Sequence, residues 1–448
     1  MNKKLYVFIV GMVLSFMLTT CTKDPEDSFE KLKIVWNKNF GGNENDALYS
    51  VVAVSDGTVA IGYSEYSSFG SGDWAGVTGK GLYDAMIVKY DHNGNLMWKK
   101  NFGGSDNDYF QSVTAVLGGV VAVGHLSSDG YFEQSTDDAY VVKFDNNGNI
   151  VWEKKFGGKG KGADYFRAVT AVSDGIVVVG YTGIWSFGTG DWQDVEKKSS
   201  RTGGIADYDA TIVKFDHNGN VVWKNNFGGD EDDRFVAITT VADGVVVAGY
   251  SKEGSFKTGS FKNTEGKGGE DAFIVKYNNS GEVMWIKNFG GADTDGFHSI
   301  IALPDGVVAA GYAYRKSYGN GDWADVAAET SDKAVIVKFN NSGNVVWKKQ
   351  FSGHSRDLKA LTPATGGFVV MGNLEQSEFD VCAMKFDVGG NEQWNTRLGG
   401  IGNETIEAMT VVDDCFVAVG YAHNFNEGIW KGIQGKGSAD AIILKFKP

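Results

Sequence analysis

Apolar positions along this chain come in short runs of strand length, and the runs recur in sets of four. In one copy they are Phe110–Val116, Val120–Leu126, Ala139–Phe144 and Ile150–Phe156, here called strands A, B, C and D. Apolar or alternating runs bounded by Gly and Asn-Gly predict β-strands. The A–B connection carries Asp-Gly or Gly-Gly in most copies, and the C–D connection is Asp91-His-Asn-Gly-Asn95 or a relative of it. Both predict tight hairpin turns, because Gly and Asn tolerate the positive φ that such turns need.

Every strand D holds a tryptophan: Trp36, Trp98, Trp152, Trp223, Trp285, Trp347 and Trp394. A period of roughly 40–50 residues holding four strands predicts a propeller blade. The interval is shortest from Trp347 to Trp394 and longest from Trp152 to Trp223, and the variation falls between strands B and C. The last copy stops after a strand C, Asp440–Phe446, while Lys33–Phe40 reads as a strand D with nothing before it. Pairing the two completes a seventh blade and removes the exposed sheet edges of an open array. The expected fold is all-β: a seven-bladed β-propeller of four-stranded antiparallel blades over residues 33–448. The repeat overrides the two or three domains that length alone allows.

Ahead of the repeats, Lys3 and Lys4 precede an apolar run, Leu5–Leu18. That is the pattern of a signal peptide, placed at residues 1–20. Leu18-Thr-Thr-Cys21 resembles a bacterial lipobox, which implies lipidation of Cys21 and a tether over residues 21–32. The acidic stretch Thr22–Asp27 resembles the export signal of surface lipoproteins in Bacteroides-like bacteria; it also suits a solvated tether. One acylated terminus would hold the domain on a membrane without spanning it. The expected location is the bacterial outer membrane, at the cell surface or on the periplasmic face.

A formal charge of −14 leaves no basic footprint for phosphate backbones, so nucleic acid is not an expected partner. The 62 glycines and 4 prolines suit many tight strand connections. Beyond Cys21, Cys382 and Cys415 fall at opposite ends of their blades, and a disulfide is not expected.

The units resemble the bacterial β-propeller repeat family known as SBBP and, more loosely, quinoprotein-type blades. The resemblance covers residues 33–448. It is carried by Gly103-Gly104 with Asp108 before strand A, Gly62-Tyr-Ser64 or Gly180-Tyr-Thr182 ending strand B, Asp209-Ala-Thr-Ile-Val-Lys-Phe-Asp216 in strand C, and the strand D tryptophan. It implies the fold and no particular activity. A quinone-dependent dehydrogenase usually has eight blades, so no cofactor is expected.

Repetition separates scaffold from site, since a residue present in every blade does a job every blade needs. By that rule the strand C lysines (Lys89, Lys143, Lys214, Lys276, Lys338, Lys385, Lys445) and the strand D tryptophans are scaffold. Asp46, Asp108, Asp164, Asp233, Asp295 and Asp357, with Glu404 in the last blade, precede strand A. They read either as locks on the D–A turn or as an acidic ring holding a cation. Gly79-Lys-Gly81, Gly266-Lys-Gly268 and Gly435-Lys-Gly437 lack phosphate-loop spacing. Asp145-Asn-Asn-Gly-Asn149 lacks the ligands of a calcium loop. His92 and His217 fall in C–D turns, while His125, His298, His354 and His423 fall toward the opposite face in different blades, so no metal set is expected.

The remaining departures are the B–C insertions, which hold all five tryptophans outside strand D. Three copies share Ser68-Phe-Gly-Ser-Gly-Asp73-Trp74, Ser186-Phe-Gly-Thr-Gly-Asp191-Trp192 and Ser317-Tyr-Gly-Asn-Gly-Asp322-Trp323. Trp185 and Trp430 lie outside that motif. Aromatic rings beside carboxylates on loops of a rigid scaffold suit a sugar. A motif that is itself repeated equally suits a cap on the blade beneath. The expected function is a non-catalytic surface binding module for a glycan or an envelope protein. Its candidate contacts are Asp73, Trp74, Trp185, Asp191, Trp192, Asp322, Trp323 and Trp430. The alternative is a polysaccharide lyase or hydrolase at the channel mouth, with His298, His354, Arg356 and Asp357 as nearest candidates.

Overall fold

The structure, a computed structural model, describes residues 32–127, 137–159, 162–200, 207–351, 358–374, 380–398 and 404–447. It is a seven-bladed β-propeller. Blade one runs through strands Asp46–Val54, Gly57–Glu65, Tyr83–Asp91 and Leu96–Phe102, hydrogen-bonded in that order. The other blades repeat it, and strand A of each blade lies against strand A of the next, so these strands line the channel. The ring closes as expected: Lys33–Phe40 pairs antiparallel with Asp440–Lys447 and becomes the outer strand of blade seven. In blade two, strands A, B and C run a residue or two longer than their apolar cores alone suggested, and strand D has the expected bounds, Ile150–Phe156.

Strands B and C are buried along nearly their whole length rather than on alternate residues, because both faces of each blade are covered by its neighbours. Each core cluster accordingly spans two blades; one joins Leu48, Trp74 and Met86 of blade one to Val417, Val419 and Ile443 of blade seven. Burial of this kind stabilises by about 25 cal/mol per Å² of apolar surface removed from water.

The repeated lysines and tryptophans tie neighbouring blades on the face carrying the A–B and C–D turns. They are cross-strand partners, as in Trp98 opposite Lys89 and Trp223 opposite Lys214. Lys89 Nζ pairs with Asp56 of its own A–B turn at 2.8 Å and donates to Asn146 O of the next blade at 3.0 Å. Trp98 Nε1 donates to that same carbonyl at 3.2 Å. Lys214 and Trp223 repeat the arrangement with Asp174 and Asn279 O. The C–D turn glycine is required there: Gly219 has φ +79° and a Cβ on it would stand 2.8 Å from the Trp152 ring.

Register shifts interrupt every A–B pair, leaving Tyr49, His298 and Glu407 as extra residues in their strands. Such bulges re-aim side chains beside sites. Lys359 and Glu407, both at bulges of adjacent blades, form an ion pair at 2.7 Å. Cys382 and Cys415 are buried and unbridged. Among the described residues no helix is long and apolar enough to cross a membrane. Cys21 and the leader lie outside the described residues.

Candidate functional site

The aspartates before strand A are turn locks. Asp46 is fully buried and accepts from Gly42 N at 2.9 Å, Ser68 Oγ at 2.8 Å and Trp74 Nε1 at 3.2 Å. Asp164 receives the same three donors from Gly158, Ser186 and Trp192, and Asp295 from Gly291, Ser317 and Trp323. Blade four has Phe261 where the others have tryptophan, and Ser251 Oγ replaces the missing indole donor to Asp233. Burial pushes these carboxyls up despite their hydrogen bonds, to about 6 for Asp46 and about 7 for Asp164 and Asp295. Carboxylates so enclosed do not line the channel as an acidic ring. In blade six Leu358 faces Gly372 as Leu48 faces Gly62, so Asp357 stands one place later in the repeat than Asp46. Asp357, His354 and Arg356 themselves lie outside the described residues.

The same geometry corrects the expectation for the loop tryptophans. Trp74, Trp192, Trp323 and Trp430 expose at most 1 % of their surface. Rings with no exposed face cannot stack on a ligand. Each ends a short 3-10 turn, and Gly428–Trp430 does so too, although the sequence set Trp430 outside the motif. The Trp74 ring is packed edge-on against Phe40 at 5.0 Å and tilted against Phe69 at 4.8 Å. Asp73, Asp191 and Asp322 accept from the D–A glycines Gly41, Gly157 and Gly290 at 3.0–3.1 Å. Asp73 and Asp322 also pair with Lys436 and Lys267 of the preceding blade at 2.6 and 2.5 Å. Those lysines come from the Gly-Lys-Gly segments, whose backbone amides hold the strand C carboxylates Asp440 and Asp271. Trp185 alone of the five is exposed, with Lys197 Nζ 5.7 Å from its ring centre.

What the structure brings together instead is a collar of half-buried aromatic rings where strands A, B and C end on the loop face. Tyr63 touches Tyr83 at 5.4 Å and Tyr109 at 5.3 Å, and Tyr109 meets His125 at 5.2 Å. His125 meets Tyr165 at 4.8 Å, and Tyr165 meets Tyr181 at 5.0 Å. The Arg234 guanidinium continues the series, 4.7 Å from the Tyr181 ring and 5.0 Å from Tyr208. Tyrosine pairs of this kind present flat faces and a polar tip together. Burial raises the Tyr63 phenol to about 12 and lowers His125 to about 4, so both are neutral at ordinary pH.

Between blades four and five the collar opens into a cavity of about 500 Å³, lined by Asp232, Arg234, Tyr250, Lys252, Glu270, His298, Tyr312 and Tyr314. That volume lies in the ~300–1,000 Å³ range of small-molecule sites. His298 is the single member of the expected catalytic cluster among the described residues, and its ring packs on Tyr312 at 5.0 Å. No group of three or more His, Cys, Asp or Glu among the described residues could hold a metal. The collar had a sequence signal, the Gly-Tyr ending most B strands. Read as a mark of the repeat, it concealed that these rings pack against one another from blade to blade.

Residues 84–266, less than half of the chain, match the family model described as outer membrane protein assembly factor BamB. The match supports a β-propeller of quinoprotein type. An uncharacterized protein of Aquifex aeolicus is 26% identical over 159 residues, 35% of this chain and 44% of its own. The regulatory protein FlaEY of Caulobacter vibrioides is 24% identical over 346 residues, 70% of this chain and 33% of its own. The chain thus spans less than half the length of these curated relatives. Among solved structures, the WD40 domain of Neurospora crassa Pan2 superposes with a TM-score of 0.48 at 10% identity, covering 91% of this chain and 90% of that one. Quinohemoprotein alcohol dehydrogenase from Comamonas testosteroni gives 0.44 at 11% identity, covering 96% and 78%. A protein of unknown function from Bacteroides caccae gives 0.38 at 12%, covering 71% and 92%.

Proposed function

We propose that this chain is a non-catalytic binding module of a bacterial envelope, anchored through a lipidated Cys21, that takes a glycan at the collar-lined mouth of its channel. The observation that carries the reading is the collar. Contiguous tyrosine faces with phenol tips around a rigid opening suit rings that have an apolar face and hydroxyl edges. Trp185 would extend the surface along the rim. Scaffold residues account for the other loop tryptophans, which moves the expected contact inward from the loops to the strand ends. The match to a family model named for an outer membrane assembly factor favours an envelope location, and with it a second reading in which the partner is an envelope protein. Both use the same face. The outer membrane, at the cell surface, is the proposed site of action.

The test is binding of the full chain, in a detergent without sugar headgroups, to a panel of soluble polysaccharides. A variant with Tyr83→Ala and Tyr109→Ala runs beside it. Binding by the parent that weakens at least about tenfold in a variant of unchanged melting temperature supports the reading. A parent that binds no polysaccharide removes the glycan and leaves the protein partner.

A further inference from the structure

We infer that the cavity between blades four and five is the primary subsite of this module and that it takes one neutral pyranose unit; the inference rests on the glycan reading above. Three observations converge on it.

The first is that the cavity gathers departures from the repeat. Strand A of blades two and three opens Asp108-Tyr109 and Asp164-Tyr165, whereas blade four has Asp233-Arg234. At the start of strand C, blades one and three place Tyr83 and Tyr208, paired with Glu65 and Gly183; blade four places Glu270 opposite Lys252. A blade needs none of these changes to pack, since the other blades do without them.

The second is charge. Two cations and two carboxylates line the space, so their formal charges balance. Arg234 Nη2 donates to Asp232 Oδ2 at 2.9 Å, and Lys252 Nζ stands 3.7 Å from the same oxygen. Asp232 Oδ1 accepts from Tyr208 N at 3.0 Å, which fixes it. An anionic or cationic ligand would meet one attractive and one repulsive pair. Hydroxyl groups can donate to Glu270 and accept from Lys252 at once, because each hydroxyl is both donor and acceptor.

The third is shape. Tyr250 and Tyr312 line the space beside the polar groups, and the Arg234 guanidinium lies 6.0 Å from the Tyr250 ring centre. The Tyr312 ring covers Gly296, where a Cβ would stand 2.6 Å from its hydroxyl, so this ring is seated where other blades carry a strand A side chain. An aromatic wall with a rim of donors and acceptors matches a sugar ring presenting an apolar face and hydroxyl edge.

The experiment measures affinity of the full chain for neutral hexose polymers and for a uronate polymer, with Glu270→Gln and Tyr314→Ala as separate variants. The expected result is preference for a neutral polymer and a loss of at least about tenfold in each variant, with unchanged melting. Neutral-polymer binding that survives both variants but falls with Tyr83→Ala and Tyr109→Ala overturns the subsite and leaves the glycan reading intact. A preference for the uronate overturns the neutral assignment. A parent that binds no polymer overturns both.

Discussion

The propeller's two faces are made by opposite ends of the same strands. On the turn face the C–D turns share one device: Asp91, Asp145, Asp216 and Asp387 accept from the asparagine four residues on, which holds their carboxyls below the usual range, and Asn278 and Asn340 accept likewise from Glu282 N and Asn344 N. Blades one, three and five repeat the same lysine–tryptophan clasp there, lysine and indole donating to one carbonyl of the next blade. The loop face carries buried carboxylates pushed above the usual range, and its blades differ. Blade two lacks the Gly-Asp-Trp motif, blade four replaces its tryptophan, and blades four and five line a charged cavity. Uniformity marks the end that holds blades together, and irregularity marks the end free to specialise.

The largest expected effect tests whether the loop face is structural beneath its collar. Trp192→Ala should destabilise by about 3–5 kcal/mol, the usual cost of emptying a buried aromatic site, and it also removes a donor from Asp164. Chemical unfolding would show it, and a loss under about 1 kcal/mol would mean the loop is not seated as described. On the turn face, Gly219→Ala should cost about 1–3 kcal/mol, from positive φ and from overlap with Trp152. An unchanged midpoint there would break the interblade clasp.

The third prediction sets the two faces against each other through pH. Asp46, Asp164 and Asp295 hold protons up to about 6 to 7 in the folded chain, against about 3.9 when unfolded. The folded state binds more protons between those limits, so their contribution is fully present below about pH 4 and is lost as pH rises through about 7. The turn-face aspartates act oppositely and give up their contribution as pH falls below the ordinary carboxylate range. Melting temperature should therefore be higher near pH 5 than near pH 8, and Asp164→Asn should reduce the difference. A higher value at pH 8 would place the buried carboxyls in a more solvated setting. The smallest effect is expected for Trp185→Ala, within about 0.5 kcal/mol of the parent because the ring is 44 % exposed. Its contrast with Trp192→Ala separates the rim from the scaffold.

The sequence by itself determined the number of blades, their four strands, the closure through Lys33–Phe40 and the scaffold standing of the repeated lysines and tryptophans. These follow from periodicity, since a strand that must be buried on both faces, or a turn that must reverse in a few residues, leaves its pattern in local order. Only the tertiary structure decided which aromatics face solvent. Trp74 and Trp185 look alike along the chain, but one is locked between Asp46, Phe40 and Phe69 while the other stands at the rim. Likewise Arg234, Glu270 and His298 are far apart in sequence and unremarkable in composition. They line one cavity because adjacent blades bring different strand ends together, and proximity of that kind has no period to read.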